Sequence, residues 1–306
     1  MNSKIQTVLQ GEDLFCSLPD DRKICYRRFG NSGDEPLVLI AGLGLQLIYW
    51  PPNLIQLLVL YGYQVIVFDN RDVGRSSSIL QPTPTRFQIL LRRPNAKAYD
   101  LSDMANDLVY LLNHLNIHAA HLVGMSMGGM IAQTFAAKYP DRSISLTSIF
   151  STTGALNVGQ PNKFVSLLML RKPVVHRKAW IKNYIYSAKY IGSTKFLMDR
   201  VALNDYAELA WQRSSKQSHE GVLRQIAAIM KSGDRTKELN KITAPTLVIH
   251  GDKDVLVSPS GGYATTKAIK GSRFVLIAGL GHFISADAVP VLFDLIIGHI
   301  QRAVDE

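Results

Sequence analysis

The sequence predicts an α/β protein: a doubly wound, mostly parallel sheet covered by helices, with one helical insertion. Three observations carry this. Short apolar runs alternate with amphipathic helical patterns over both ends of the chain. Those runs are apolar on both faces, as strands buried between two helical layers must be. Over residues 155–236 the rhythm stops, and the chain becomes rich in Lys, Arg, Tyr, Leu and Met without a strand-like run.

The elements follow in order. Residues 14–18 and 24–28 alternate around Pro19-Asp20-Asp21-Arg22, which reads as a β-hairpin. If Asp20 and Asp21 form a two-residue turn, Cys16 lies opposite Cys25. Apolar runs at 37–41, 64–68, 121–124, 246–250 and 274–277 give the remaining expected strands. Helical periodicity marks 51–61, 101–115, 127–139, 262–269 and 288–300. This divides the chain into a core domain of residues 1–154 and 237–306 and a cap of residues 155–236.

Of the 306 residues 47% are hydrophobic, enough for a large core, and the 19% charged fraction gives no sign of disorder. Two cysteines are too few for a disulfide-framed secreted scaffold. Residues 1–6 lack the apolar core of a signal peptide. The most apolar stretch, 37–68, is broken by Gly42, Gly44, Pro51 and Pro52, among others, so it does not read as a membrane span. The expectation is a cytoplasmic protein with free thiols.

The formal net charge is +10, and residues 155–200 hold nine basic residues and one acid. Runs such as Leu167-Leu168-Met169-Leu170-Arg171-Lys172, with Trp180 beyond, suit either a solvated helical face or contact with an anionic membrane surface. Steering of anionic soluble substrates is a third reading. Nucleic acid is not expected, because core aromatics of a helical cap account for the Tyr and Trp of this segment. His114, His118 and His121 are close in sequence, yet no acid completes a ligand set, so no metal site is expected. The phosphate-binding loop motifs are missing, so no cofactor is expected.

Gly124-Met125-Ser126-Met127-Gly128 fits G-x-S-x-G. Alone the pattern is weak, and a serine capping a helix after a glycine turn would also produce it. Its setting between a buried-strand run and a helical pattern is the strand–turn–helix that a nucleophile elbow needs. A serine nucleophile needs a base, and the base an orienting acid. In chain order, Gly251-Asp252-Lys253-Asp254 and then Gly279-Leu280-Gly281-His282 end the last two expected strands. His282 is the candidate base. Asp254 is the preferred acid, since Asp252 sits closer to the strand end and suits a turn tie. The oxyanion donors are expected to be the N–H groups of Met127 and of Leu43, in the Gly42-Leu43-Gly44 loop.

With these motifs the chain resembles the α/β-hydrolase superfamily over essentially its whole length. Asp69-Asn70-Arg71-Asp72-Val73-Gly74-Arg75-Ser76 adds a further match, to the D-x-R-x-x-G-x-S turn, which is largely structural in such enzymes. It looks most like esterases of the aclacinomycin methylesterase type. The departure is Ala41-Gly42, where most relatives have His-Gly, so a common support of that loop is missing. The resemblance implies hydrolysis of a carboxylic ester without naming it. An apolar pocket under the cap is expected from Leu167, Leu168, Met169, Leu170, Trp180, Tyr184, Tyr186, Tyr190, Phe196 and Trp211, and favours esters with a substantial apolar part. The rivals are a C–C bond hydrolase or a cofactor-free perhydrolase using the same three residues, and a non-catalytic small-molecule receptor. An aspartate-nucleophile epoxide hydrolase is excluded by Ser126 itself.

Overall fold

A computed structural model describes residues 11–165, 174, 176–214 and 218–305. Its centre is one eight-stranded sheet, in the order β1-β2-β4-β3-β5-β6-β7-β8. The strands are β1 (Leu14–Ser17), β2 (Lys23–Phe29), β3 (Glu35–Ile40), β4 (Tyr63–Phe68), β5 (Ala120–Met125), β6 (Ser143–Ile149), β7 (Thr246–Gly251) and β8 (Arg273–Ile277). β1 and β2 pair antiparallel, as do β2 and β4, and the rest of the sheet is parallel.

The period of two within each strand separates two cores. Val38, Ile40, Ile66 and Phe68 face the layer containing α3 (Leu101–His114) and α4 (Met127–Lys138), with Met104, Leu108, Leu111, Ile131 and Phe135. Leu37, Leu39, Val65 and Val67 face the layer containing α1 (Pro52–Leu60) and α10 (Val289–Asp305), with Leu54, Leu58, Leu292 and Ile296. Asp100 caps α3 in a reciprocal pair with Asp103, and Asn116, at φ 56°, turns the chain out of it. Two short helices, α2 (Arg86–Leu90) and α8 (Thr236–Leu239), and α9 (Ser260–Ala268) complete the layers.

Two expectations about the strands are corrected. β6 was not among the expected strands, because Ser143, Ser145, Thr147 and Ser148 make it look polar. It is nevertheless central, since partners distant in sequence satisfy two of its hydroxyls. His121 Nδ1 lies 2.8 Å from Ser145 Oγ, and Gln133 Nε2 donates to Ser148 Oγ at 2.9 Å. In the hairpin, Leu18 N–H donates to Arg22 O at 2.8 Å and Asp21 takes φ 62°, so the loop is Pro19-Asp20-Asp21. That extra residue shifts the register: Cys16 pairs with Ile24 and Cys25 with Phe15. The two cysteines therefore face opposite cores, and both are free.

Between β6 and β7 the chain makes a helical excursion: α5 (Arg177–Ile191), α6 (Arg200–Arg213) and α7 (Ser218–Ser232). It leaves and returns side by side, with Arg235 N–H donating to Thr153 O at 2.9 Å. A Cβ on Gly154 would lie 2.2 Å from Gly233 O, so the two passes touch. α5 and α6 pack through Trp180 against Trp211 (5.7 Å between centroids) and Tyr184 against Tyr206 (5.2 Å). Tyr186 and Tyr190, expected in the pocket, are instead exposed, and Phe196 is half-buried. Leu167, Leu168, Met169, Leu170, Arg171 and Lys172 lie outside the described residues.

α7 is held to the core by a buried ion pair. Arg224 binds Asp72 twice, Nη2 to Oδ1 at 2.7 Å and Nε to Oδ2 at 3.0 Å, and Tyr99 donates its hydroxyl to the same carboxylate at 2.9 Å. The Asp72 side chain has no solvent exposure. Arg224→Ala would strand that carboxylate, and we expect a loss of about 3–5 kcal/mol. Urea unfolding followed by circular dichroism measures it; a change under about 1 kcal/mol would show that the pair does not anchor α7.

Candidate active site

The site lies at the C-terminal edge of the parallel strands, where three loops converge. The first is the turn from β5 into α4. Ser126 sits there at φ 55°, ψ −122°, a conformation that side chains rarely adopt. Its neighbours make the turn sterically feasible. A Cβ on Gly124 would lie 2.3 Å from Gly128 O, and one on Gly128 would lie 2.0 Å from Ile40 O. The backbone is pinned by Ser126 N–H to Ile149 O (2.8 Å) and by Ser151 Oγ donating to Ser126 O (2.9 Å). The hydroxyl is thus presented at the N-terminus of α4, where the helix dipole favours negative charge.

The second loop follows β8. His282 Nδ1 donates to Asp254 Oδ2 at 2.6 Å, which leaves Nε2 to accept the Ser126 hydroxyl at 3.0 Å. The His282 and Asp254 side chains are both almost fully buried. The sequence-predicted trio is therefore brought into one line, with its members 28 and 156 residues apart in the chain.

The third loop follows β7 and distinguishes the two acids. Asp254 Oδ1 accepts from Leu256 N–H (2.9 Å) and Val257 N–H (2.8 Å), which aims Oδ2 at His282. Asp252 points elsewhere: its Oδ1 accepts from Gly279 N–H at 2.6 Å and its Oδ2 meets Lys253 Nζ at 3.2 Å. It ties the β7 and β8 loops together. Sequence reasoning missed His250, whose Nε2 donates to Val257 O at 2.8 Å and lies 3.4 Å from Asp254 Oδ2. Its place four residues before the acid is a faint signal, visible only once the loop is folded.

Burial alone would raise the Asp254 pKa, but the adjacent His282 and His250 outweigh it and hold the carboxyl at about 2. A folded-state value below the ordinary 3.8 stabilises the fold above pH 3.8, and that stability is lost as pH falls toward 2. Thermal melts between pH 5 and 2 should show it. Asp254→Asn should remove about 2 kcal/mol of this acid dependence; an unchanged slope would mean that the carboxylate is not held in this way.

The loop expected to supply the second oxyanion donor follows β3. Gly42 is so close that a Cβ there would lie 3.2 Å from Ser126 Cβ. The next amides are occupied: Gly44 N–H donates to Gln225 Oε1 (2.8 Å) and Leu45 N–H to Gly42 O (3.2 Å). The Leu43 N–H has no such partner among the described residues. Met127 N–H is the first amide of α4 and has no carbonyl within its own helix. Met127 follows Ser126 in the chain and Leu43 follows Gly42, which packs against Ser126; these are the two amides expected from the sequence as oxyanion donors.

With alanine at position 41, other groups support this loop. Asn70 Nδ2 donates to Ala41 O (3.1 Å) and Asp69 Oδ1 accepts from Leu47 N–H (2.7 Å). Gly74 belongs to the same turn because a Cβ there would lie 2.2 Å from Asp69 Oδ2. The helical excursion contributes as well. Gln225 of α7 binds Gly44 N–H and Arg71 O (2.9 Å), while Arg213 of α6 reaches Gln46 Oε1 (3.1 Å) and Asp69 Oδ2 (2.8 Å). On the other side, His282 N–H donates to Ile191 O (2.7 Å) and Gly281 N–H to Ser193 Oγ (3.0 Å). The helical excursion thus braces both the histidine loop and the loop after β3. Gln225→Leu should lower kcat by about 10- to 100-fold with KM little changed, since it frees Gly44 and loosens the donor beside it. Steady-state kinetics checks this, and an equal rise in KM instead would assign Gln225 to substrate binding.

A chain of rings starts at Phe283, the residue after His282, and runs through Tyr49 (5.6 Å), Tyr206 (5.9 Å), Tyr184 (5.2 Å) and Trp180 (5.7 Å). Burial raises the Tyr49, Tyr184 and Tyr206 phenols, so they stay neutral. Among the described residues, no group of three or more His, Cys, Asp or Glu could hold a metal ion. No described helix is long and apolar enough to cross a membrane.

Known proteins share this architecture. Rhodomycin D methylesterase DnrP of Streptomyces peucetius is 27% identical over 295 residues, covering 90% of this chain and 93% of that one. The enol-lactonase of Burkholderia xenovorans LB400 superposes with TM-score 0.72 at 21% identity, covering 94% of this chain and all of that one. An esterase from Exiguobacterium antarcticum gives TM-score 0.71 at 20% identity over 95% and 100% of the two chains. At such identities the superpositions speak for the fold. The model of the alpha/beta hydrolase fold matches residues 35–289. The chain belongs to the α/β-hydrolase family, with a resemblance to its esterases.

Proposed function

We propose that this protein hydrolyses carboxylic esters with a substantial apolar part, with Ser126 as nucleophile, His282 as base and Asp254 as orienting acid. The observation that carries the reading is the line Ser126 Oγ–His282–Asp254, at 3.0 and 2.6 Å. His282 Nε2 takes the hydroxyl proton as Ser126 Oγ attacks the ester carbonyl. The Leu43 and Met127 N–H groups stabilise the oxyanion. His282 then returns the proton to the leaving alcohol, and the C–O bond breaks to give an acyl-enzyme. Water, deprotonated by His282, attacks that acyl carbon; the acid leaves and Ser126 is regenerated. Asp254 remains ionised throughout and holds the imidazole in the Nδ1–H tautomer.

Residues 155–236 act in this reading as the cap of the site. The ring chain that begins beside His282 at Phe283 is the apolar surface that favours an apolar acyl or alcohol group. The methylester specificity in the name of the Streptomyces relative makes a small alcohol on a large apolar acid the first substrate class to try.

The test is a panel of p-nitrophenyl and methyl esters of graded acyl size, read by stopped flow. A burst of one alcohol per protein, followed by steady turnover that is fastest for bulky apolar acyl groups, is the expected result. Binding of every ester without turnover would identify a receptor instead.

A further inference from the structure

The segment between β4 and α3 carries a surface that the site does not use. Residues 73–99 hold five basic residues and no acid. Arg75 is paired with Asp13, but Arg86, Arg93 and Lys97 have no acidic partner among the described residues. A reciprocal cap fixes the short helix α2: Gln88 N–H donates to Thr85 Oγ1 (3.2 Å) and Thr85 N–H to Gln88 Oε1 (2.9 Å). Arg93 N–H closes it on Gln88 O at 2.9 Å. This turn places Phe87, Leu90 and Leu91 at i, i+3 and i+4, on one face. The face is bare, with Phe87 69% and Leu90 68% exposed.

A second loop extends the patch. Arg92 Nη2 donates to Gln160 Oε1 at 2.9 Å, and Gln160 Nε2 donates to Val158 O at 3.0 Å. That pair fixes the turn carrying Leu156, 70% exposed. Residues 150–165 also lack acids and add Lys163. The result is a set of exposed apolar side chains on two loops joined through Arg92 and Gln160, in segments that carry cations without an acidic partner.

Exposed apolar clusters on this scale mark an interaction surface. A single-stranded nucleic acid would want several stacking aromatics, and α2 offers only Phe87. An anionic lipid surface satisfies both halves at once, since the aliphatic groups enter the acyl boundary and the cations meet headgroups. We propose that Phe87, Leu90, Leu91 and Leu156, within Arg86, Arg93, Lys97 and Lys163, dock the protein on an anionic lipid surface. The loop with Leu156 leaves the C-terminal end of β6, the sheet edge that bears Ser126, so docking turns that edge toward the lipid. The proposal is independent of the ester chemistry.

Co-sedimentation of the full chain with phosphatidylglycerol/phosphatidylcholine vesicles, and with phosphatidylcholine alone, at low and high salt, tests it. Binding to the anionic vesicles only, weakened by salt, is expected. Arg86→Glu/Arg93→Glu/Lys97→Glu should lower the partition coefficient at least about a hundredfold, taking about fivefold for each cation lost. Phe87→Ser/Leu90→Ser should lower it at least about tenfold at either salt. All variants should melt like the parent protein. Equal binding to both vesicles, no binding, or binding unchanged in the charge-reversed variant would overturn the proposal. Loss through Arg177→Glu/Lys178→Glu instead would move the contact to α5 and overturn this face. Salt-sensitive binding to a duplex oligonucleotide that survives Phe87→Ser/Leu90→Ser, with no vesicle binding, would make the partner a soluble polyanion and overturn it too.

Discussion

Ser126→Ala should reduce ester turnover by a factor on the order of 10⁶, with His282→Ala close behind and the double variant little worse than either. In the proposed mechanism the two groups share one proton transfer across their 3.0 Å hydrogen bond, so removing one makes the other idle. Whatever turnover remains would come from the Leu43 and Met127 donors and from binding alone. KM should stay near the parent value, because both substitutions remove groups of the proton transfer and leave the rest of the site in place. The measurement is kcat for a p-nitrophenyl ester with rigorously purified variants. Ser126→Ala within about tenfold of the parent would remove the serine from the chemistry.

The second large effect separates the two acids. Asp254→Asn should leave a folded protein with kcat lowered by about 10⁴. The amide can still receive the Leu256 and Val257 N–H groups, but it no longer requires Nδ1–H on His282. The imidazole is then free to present the wrong nitrogen to Ser126. Asp252→Asn should leave kcat within a few-fold and lower the melting temperature instead, because Asp252 bonds the Gly279 amide and not the imidazole. Parallel kinetics and melts on the two variants decide between them. The reverse pattern would make Asp252 the working acid.

Much of the site was legible in the sequence because its chemistry is written in local patterns. The glycines around Ser126 are demanded by contacts at 2.0–2.3 Å that any side chain would violate, so the motif carries its own geometry. Gly279 and Gly281 likewise mark a histidine loop pressed against another segment, since a Cβ on Gly281 would lie 2.2 Å from Gly192 O. The choice of Asp254 over Asp252 follows from distance along the chain; in the fold Asp254 Oδ2 meets His282 Nδ1 and Asp252 Oδ1 meets the Gly279 amide.

What stayed hidden depends on partners far away in sequence. β6 reads as a polar loop until His121 and Gln133 are seen on Ser145 and Ser148. The shift between Cys16 and Cys25 comes from one extra residue in a turn, which alternation alone does not count. The support of the Leu43 loop by Asn70, Asp69 and Gln225 is equally invisible locally, since Gln225 is 181 residues from the amide it holds. Nothing in its helical surroundings distinguishes it from any other buried polar residue. Tyr186 and Tyr190 were misplaced for a related reason. Aromatic residues on α5 occupy both its faces, and only packing against α6 decides which turn inward.

The most direct test of the central claim is covalent capture of the nucleophile. The protein would be treated with a p-nitrophenyl alkylphosphonate and followed by intact mass, with peptide mapping of the product. One phosphonyl group per chain, bound to Ser126, released with one equivalent of p-nitrophenol and missing from Ser126→Ala, is the predicted result. Labelling at another residue, or none in a protein that still turns over esters, would contradict it.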